Sequence, residues 1–517
     1  MEQQLQVTLP IRQRQAQAVE TTAYVHLPDE LLMKILEQFC FHCQNPGEFP
    51  HADSQEVRQN KATLARLCRA STRFRDVAEP ILYHYYATGN CNDFLDRKQG
   101  FNDHLLSFVS TLAARPTLAT NVVSMQLVNH PEAYRKYDDD KSFKTLRALI
   151  KQSDDKGSLS TFHIRQDIHQ TWCNDTGVPD SWKQGAHRWL MCLAMVLSTK
   201  LRDVIIAMDD FYMPPETYAV FRVLDEGPRP EFPDLTKLGL ISPAGTPYQL
   251  AAIRGLVKAA PKLESLYVCT AGHDDRCHWA LIGYNPWPGK WGHIVYKPLI
   301  HLKKLVISDI YLPHLGDLVD RVRGLEELEL YWTVSPPLNT ELVIIIERAK
   351  ATLKRLCLSY LPGDEGYLGQ EPCLRYPPIK SLAQFPKLED ITIDCRSLYR
   401  EVDKDTYERL TSFLPKTIRR FRVSYVTRDM TKSLSQLADT TQDNFPELTS
   451  VVVGVTADIP RRAGAMRMFV EPLFVNKGIE FAWREDTYGP SARTLVLGAT
   501  MPDHRLLPWK EEDEATN

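Results

Sequence analysis

Two groups of cysteine and histidine carry the residue types that could do chemistry. Cys40 and Cys43 form a C-x-x-C with His42 inside it and His51 nearby, the sulfur and imidazole donors that hold zinc. A second ligand pair at suitable spacing is missing, and the motif begins at the end of a predicted helix. The reading is therefore one small buried thiol and one exposed thiol. Cys269, His273, Cys277 and His278 (CTAGHDDRCH) are denser and follow a predicted strand. The text continues WALIGYNPWPGKWGH, where Trp279, Trp287 and Trp291 pack an insertion down or line a pocket. The expectation is no metal and no cofactor, with a zinc-containing enzyme built on residues 269–295 kept as an alternative. No nucleophile elbow, Walker loop, dinucleotide fingerprint or H-E-x-x-H occurs, so the chain is not expected to be an enzyme. The acidic runs Asp138–Asp140 and Glu511–Glu514 read as solvated surface.

Composition narrows the partners. The chain has 517 residues, 43% of them apolar, with 62 Lys+Arg against 65 Asp+Glu for a net charge of −3. So balanced a charge gives no general pull toward nucleic acid or an acidic membrane. The apolar runs Met191–Leu197 and Leu342–Ile346 fall far short of the ~20 residues that span a bilayer. Eleven scattered cysteines and a polar start without a secretory pattern point to reduced thiols and to a cytoplasmic and/or nuclear location.

The elements that position these residues divide into two kinds. Residues 1–23 form a polar, disordered lead. In LPDELLMKILEQF, Pro28 suits the first helical position, Asp29 and Glu30 favour the helix start, and Leu31, Leu32, Ile35, Leu36 and Phe39 make one apolar stripe. Cys40 to Asn60 reads as a long loop, and a second helix starts near Lys61, with Leu64, Leu67, Ser71, Phe74, Val77 and Ile81 on its stripe and Pro80 kinking or ending it.

Beyond this a short pattern recurs: Pro or Gly, then L-x-x-L-x-apolar. FPDLTKLGL (Phe232–Leu240), APKLESLYV (Ala260–Val268), FPKLEDITI (Phe385–Ile393) and FPELTSVVV (Phe445–Val453) are the closest copies. Counting looser ones, copies begin at Val122, Leu159, Leu201, Leu235, Leu263, Leu302, Leu325, Leu353, Leu388, Ile418 and Leu448, between 23 and 42 residues apart. Proline stops a helix and starts an extended segment, and amphipathic stretches between copies are long enough to return the chain for a parallel neighbour. The fold class expected is α/β: a helical module, then an irregular β/α solenoid with strands on the concave face and helices outside.

LPDELLMKIL followed by LARLCRASTRFRDVAEPILY resembles the F-box motif of fungal type, and the region after it is similar to a degenerate leucine-rich repeat array without a regular Asn ladder. The resemblance divides the chain into an F-box helical module (24–86), a leucine-rich-repeat-like solenoid (87–500) with insertions near 269–295 and 361–380, and an acidic tail (501–517). It implies a substrate-recognition subunit of a ubiquitin ligase that docks on a Skp-type adaptor, and through it on a cullin and a RING protein. Leu27, Pro28, Leu31, Leu32, Ile35 and Leu36, with Leu64 and Leu67, are the adaptor-facing residues it implies. A scaffold acting outside ubiquitination is the alternative.

An unknown protein substrate would meet the open strand face. Along LEELEL, Leu325, Leu328 and Leu330 point inward while Glu327, Glu329 and Tyr331 point outward. The same register exposes Arg355, Asp390, Asp394, Arg420 and Arg422. These charges alternate in sign between repeats, so they either pair across strands or meet the substrate.

Overall fold

The computed structural model describes residues 27–45, 49, 55–87, 104–129, 140–156, 180–208, 231–242, 254–270, 297–308, 312–332, 339–360, 379, 381–398, 409–424, 426, 430–455 and 460–485. Helices α1 (Asp29–Glu37), α2 (Phe41–Gln44), α3 (Gln55–Ala70) and α4 (Thr72–Leu82) come first. The rest is mixed α/β around one sheet of 12 parallel strands, ordered in space as in sequence. The strands are β1 (Tyr85–Ala87), β2 (Ser124–Asn129), β3 (Asp203–Met208), β4 (Lys237–Ser242), β5 (Ser265–Thr270) and β6 (Lys304–Ser308). They continue as β7 (Glu327–Trp332), β8 (Arg355–Tyr360), β9 (Asp390–Asp394), β10 (Arg420–Ser424), β11 (Ser450–Val455) and β12 (Glu480–Glu485). Among the described residues no helix is long and apolar enough to cross a membrane.

The recurring letters set both the start and the register of the strands. In the four closest copies, Leu235, Leu263, Leu388 and Leu448 donate their N–H to the carbonyls of Phe232, Ala260, Phe385 and Phe445, which makes x-P-x-L a β-turn with Pro at its second position. The residue ahead of that Pro and the closing Leu are both buried. Ten of the eleven copies lead directly into a strand; the copy at Leu159 lies outside the described residues, and β2 pairs with β3 itself. The second apolar position then stacks in one row from strand to strand, as Leu305↔Leu328, Leu328↔Leu356, Leu356↔Ile391, Ile391↔Phe421 and Phe421↔Val451. This row is part of a continuous apolar core between the sheet and its helices.

At the start of each strand from β1 to β10 one carbonyl accepts two amides from the chain entering the next. Glu326 O takes the N–H groups of Lys354 and Arg355 at 2.8 and 3.0 Å, and Lys354 O takes those of Glu389 and Asp390. The series begins with His84 O, which accepts from Val123 and Ser124. The side chains of this row pair as well, Glu264 with Lys303 at 2.8 Å and Glu326 with Lys354 at 2.9 Å. These are exposed pairs, each worth about 0–1 kcal/mol.

The helical module departs from expectation in three places. Pro28 is the N-cap of α1 rather than its first helical residue, and its carbonyl accepts from Leu31 and Leu32. The second helix is two helices: Ser71 belongs to no stripe but caps α4, its Oγ accepting from Phe74 N at 3.1 Å, because a short hydroxyl satisfies an amide that the helix start leaves free. The supposed loop to Asn60 contains α2 and the first turn of α3. Strand β1 straddles the expected boundary at 86/87, sending Tyr85 into the small core of the module and Tyr86 into the large core of the sheet. Glu79 of α4 clasps Arg115 with two bonds of 2.5 and 2.7 Å, tying the module to the helices beneath β2. The lead, both insertions almost entirely and the acidic tail lie outside the described residues.

Candidate functional site

Helix α1 splits the eight residues singled out from sequence into two groups. Leu32, Leu36 and Leu64 are buried in the module's own core, and Leu67 packs against it. Leu27, Leu31 and Ile35 are 37, 48 and 50% exposed, with Pro28 and Met33 exposed beside them. Leu31 and Ile35 fall one helical turn apart, so they line one side of α1, and Leu27 stands two residues ahead of the helix. The start of this helix is held by Arg73 of α4, which bridges to the Asp29 carboxylate at 2.8 Å and donates to Leu27 O. The result is a rigid helix with a row of apolar side chains in water, the kind of surface that a partner helix or groove covers.

The strand face opposite the helices is only partly open. Glu329, Tyr331 and Asp394, expected to face a substrate, are buried, and this corrects their assignment as contact residues. Part of the cover is visible. The module sits against the β1 end of this face, and Phe49 from the segment between α2 and α3 packs edge-on against Tyr267 of β5 with ring centroids 5.1 Å apart. Sequence periodicity separates the two faces of a strand but carries no information on a distant segment folding over one of them.

The charges of this face pair across strands. Lys304 lies 2.7 Å from Glu329 and 3.4 Å from Glu327, Glu327 lies 3.2 Å from Arg355, and Asp390 lies 2.9 Å from Arg420. Tyr331 donates to the other oxygen of Glu329 at 2.6 Å. Burial alone would push the Lys304 ammonium down, but Glu329, Tyr267 and Glu327 hold it above its usual range. Of the residues proposed for substrate contact, Arg355 and Arg420 keep about half of their side chains in solvent, and Arg422 is partly exposed.

The first grouping gains a member that the sequence reading missed, His84. The ligand atoms of Cys40, His42, Cys43 and His84 lie within 4.8 Å of one another. Cys40 caps α2 at the end of the α1 segment, Cys43 sits within that turn, and His84 occupies the position between α4 and β1. His84 Nδ1 is 3.8 Å from Cys40 Sγ and 3.2 Å from Cys43 Sγ. The neighbouring Cys43 thiol, with help from both imidazoles, pulls Cys40 well below the usual thiol range against the effect of burial. Cys43 correspondingly holds its proton more tightly, first through that same contact and then through burial.

Next to this cluster, Lys61 of α3 lies 3.9 Å from the centre of the Tyr85 ring and donates to Tyr85 O at 2.9 Å. Burial lowers its pKa to about 8 from 10.5. Between those values the unfolded chain holds the proton that the folded chain has released, so this group's contribution to stability rises with pH across the window. Stability measured by urea unfolding is expected to climb by about 1–2 kcal/mol more in wild type than in Lys61→Met from pH 8 to pH 10. Parallel pH profiles would show that Lys61 keeps its ordinary proton affinity.

No protein-family model matches the chain, and no curated protein matches it.

Proposed function

We propose that the chain is a non-catalytic receptor subunit of a Skp-cullin-F-box ubiquitin ligase, working in the cytoplasm or nucleus. The observation that carries this reading is the solvent-exposed pair Leu31 and Ile35 on α1, with exposed Leu27 just ahead of it. These apolar side chains belong to the segment whose letters resemble the F-box, and the module's own core uses the other side of the helix. In this reading α1 docks on a Skp-type adaptor, and the strand array behind it, read as a leucine-rich-repeat-like solenoid, binds a protein substrate. The mechanism is proximity: holding scaffold and substrate on one body raises the effective concentration of substrate lysines at the conjugating enzyme.

The test is co-purification of the full chain with a Skp-type adaptor, comparing wild type with Ile35→Asp. Ile35 is half exposed, so the variant is expected to keep its unfolding midpoint. Its affinity for the adaptor should fall at least about 30-fold, the 2 kcal/mol of an interface hot spot. Undiminished binding by Ile35→Asp, or no binding by wild type, overturns the proposal. Accumulation of a bound protein when the chain is removed from cells then separates a receptor from a scaffold.

A further inference from the structure

The Cys40, His42, Cys43 and His84 cluster has the composition of a closed structural zinc site: two thiolates and two neutral imidazoles balance one Zn2+. A tetrahedron built on ordinary Zn–S and Zn–N lengths has edges of about 3.3–3.8 Å. The sulfur-to-imidazole separations of 3.2 and 3.8 Å lie close to that range, and the whole set lies inside 4.8 Å. Three ligands come from one tight turn, in which Cys43 N donates to Cys40 O at 3.1 Å, so the relative placement of their backbone is fixed before any ion arrives. Cys40 is buried. His42 Nδ1 is also buried and has no hydrogen-bond partner among the described residues, a cost that an ion or a further contact would relieve.

We propose that Cys40, His42, Cys43 and His84 bind one zinc ion that clamps the helical module to the first strand of the sheet. The location gives the clamp its purpose. Cys40 and Cys43 come shortly after α1, while His84 leads into β1, and its carbonyl holds Val123 and Ser124 at the entry to the next strand at 2.8 and 3.0 Å. An ion joining these points fixes the direction in which α1 leaves the sheet. The proposal stands whether or not α1 docks on an adaptor.

The full chain, expressed in zinc-supplemented medium and purified under reductant, is expected to hold one equivalent of zinc by mass spectrometry of the metal. Cys43→Ser and His84→Ala should lose it, while Cys68→Ser, a free cysteine outside the cluster, should keep it. Zinc retained in both ligand variants overturns the proposal and points to another site. Wild type guards against variants that merely misfold: cobalt added to chelator-stripped protein should give the sulfur-to-metal charge-transfer band of a tetrahedral site, and zinc should raise its thermal midpoint. Wild-type protein without zinc, or a stripped chain that takes up no cobalt, overturns the proposal equally.

Discussion

Glu329→Ala is expected to cost the protein about 3–5 kcal/mol in urea unfolding, because breaking a buried ion pair leaves its partner uncompensated. Glu329 lies on β7 with one oxygen 2.7 Å from Lys304 and the other accepting from Tyr331 at 2.6 Å. Removing it takes the carboxylate acceptor from a fully buried tyrosine hydroxyl, which keeps the Cys357 thiol beside it, and leaves Lys304 with Glu327 at 3.4 Å as its carboxylate. The remaining contact puts the expected loss near the lower end of that range. Replacing both partners, as Glu329→Leu with Lys304→Met, should recover much of the loss, since apolar groups of similar size tolerate the same burial. A loss below about 1 kcal/mol for Glu329→Ala, within the range of an exposed pair, would mean that the network is open to water.

Phe421→Ala should be as damaging, at about 3–5 kcal/mol, for a different reason. Phe421 is fully buried and stacks between Ile391 of β9 and Val451 of β11 in the apolar row of the sheet. Truncation leaves a void bounded by two strands whose registers are fixed by backbone pairing, so the walls cannot collapse to fill it. Chemical denaturation of the variant measures the cost directly. A loss under about 1 kcal/mol, typical of a conservative swap such as Ile→Val, would show that the row is loosely packed there.

Much of the sheet was legible because the L-x-x-L-x-apolar spacing and, in the four closest copies, the proline turn are local signals, and ten copies lead straight into strands. The two strands missed lack them. Tyr85–Ala87 has only three residues. β12 is launched by Gly478 at φ +74°, a left-handed turn that closes a helix without proline. Ser71 was misread because its spacing fits an apolar stripe, whereas its hydroxyl does the work of a cap. His84 escaped notice because it stands 44 residues from Cys40, and metal-ligand spacing rules read only what is near in sequence. The cover over the strand face was illegible for the same reason: Phe49 meets Tyr267 only after folding.

The order of the strands bears on how the chain tolerates change in length. Each strand takes its register from the one immediately before it, while the ten copies that begin strands are 23 to 79 residues apart. Doubling a flexible connection adds only about 0.6 kcal/mol of closure entropy, less than one of the buried contacts that a single rung supplies. Connections can therefore gain or lose residues without shifting any rung, which leaves the segments between strands free to acquire new surfaces while the sheet beneath them stays the same.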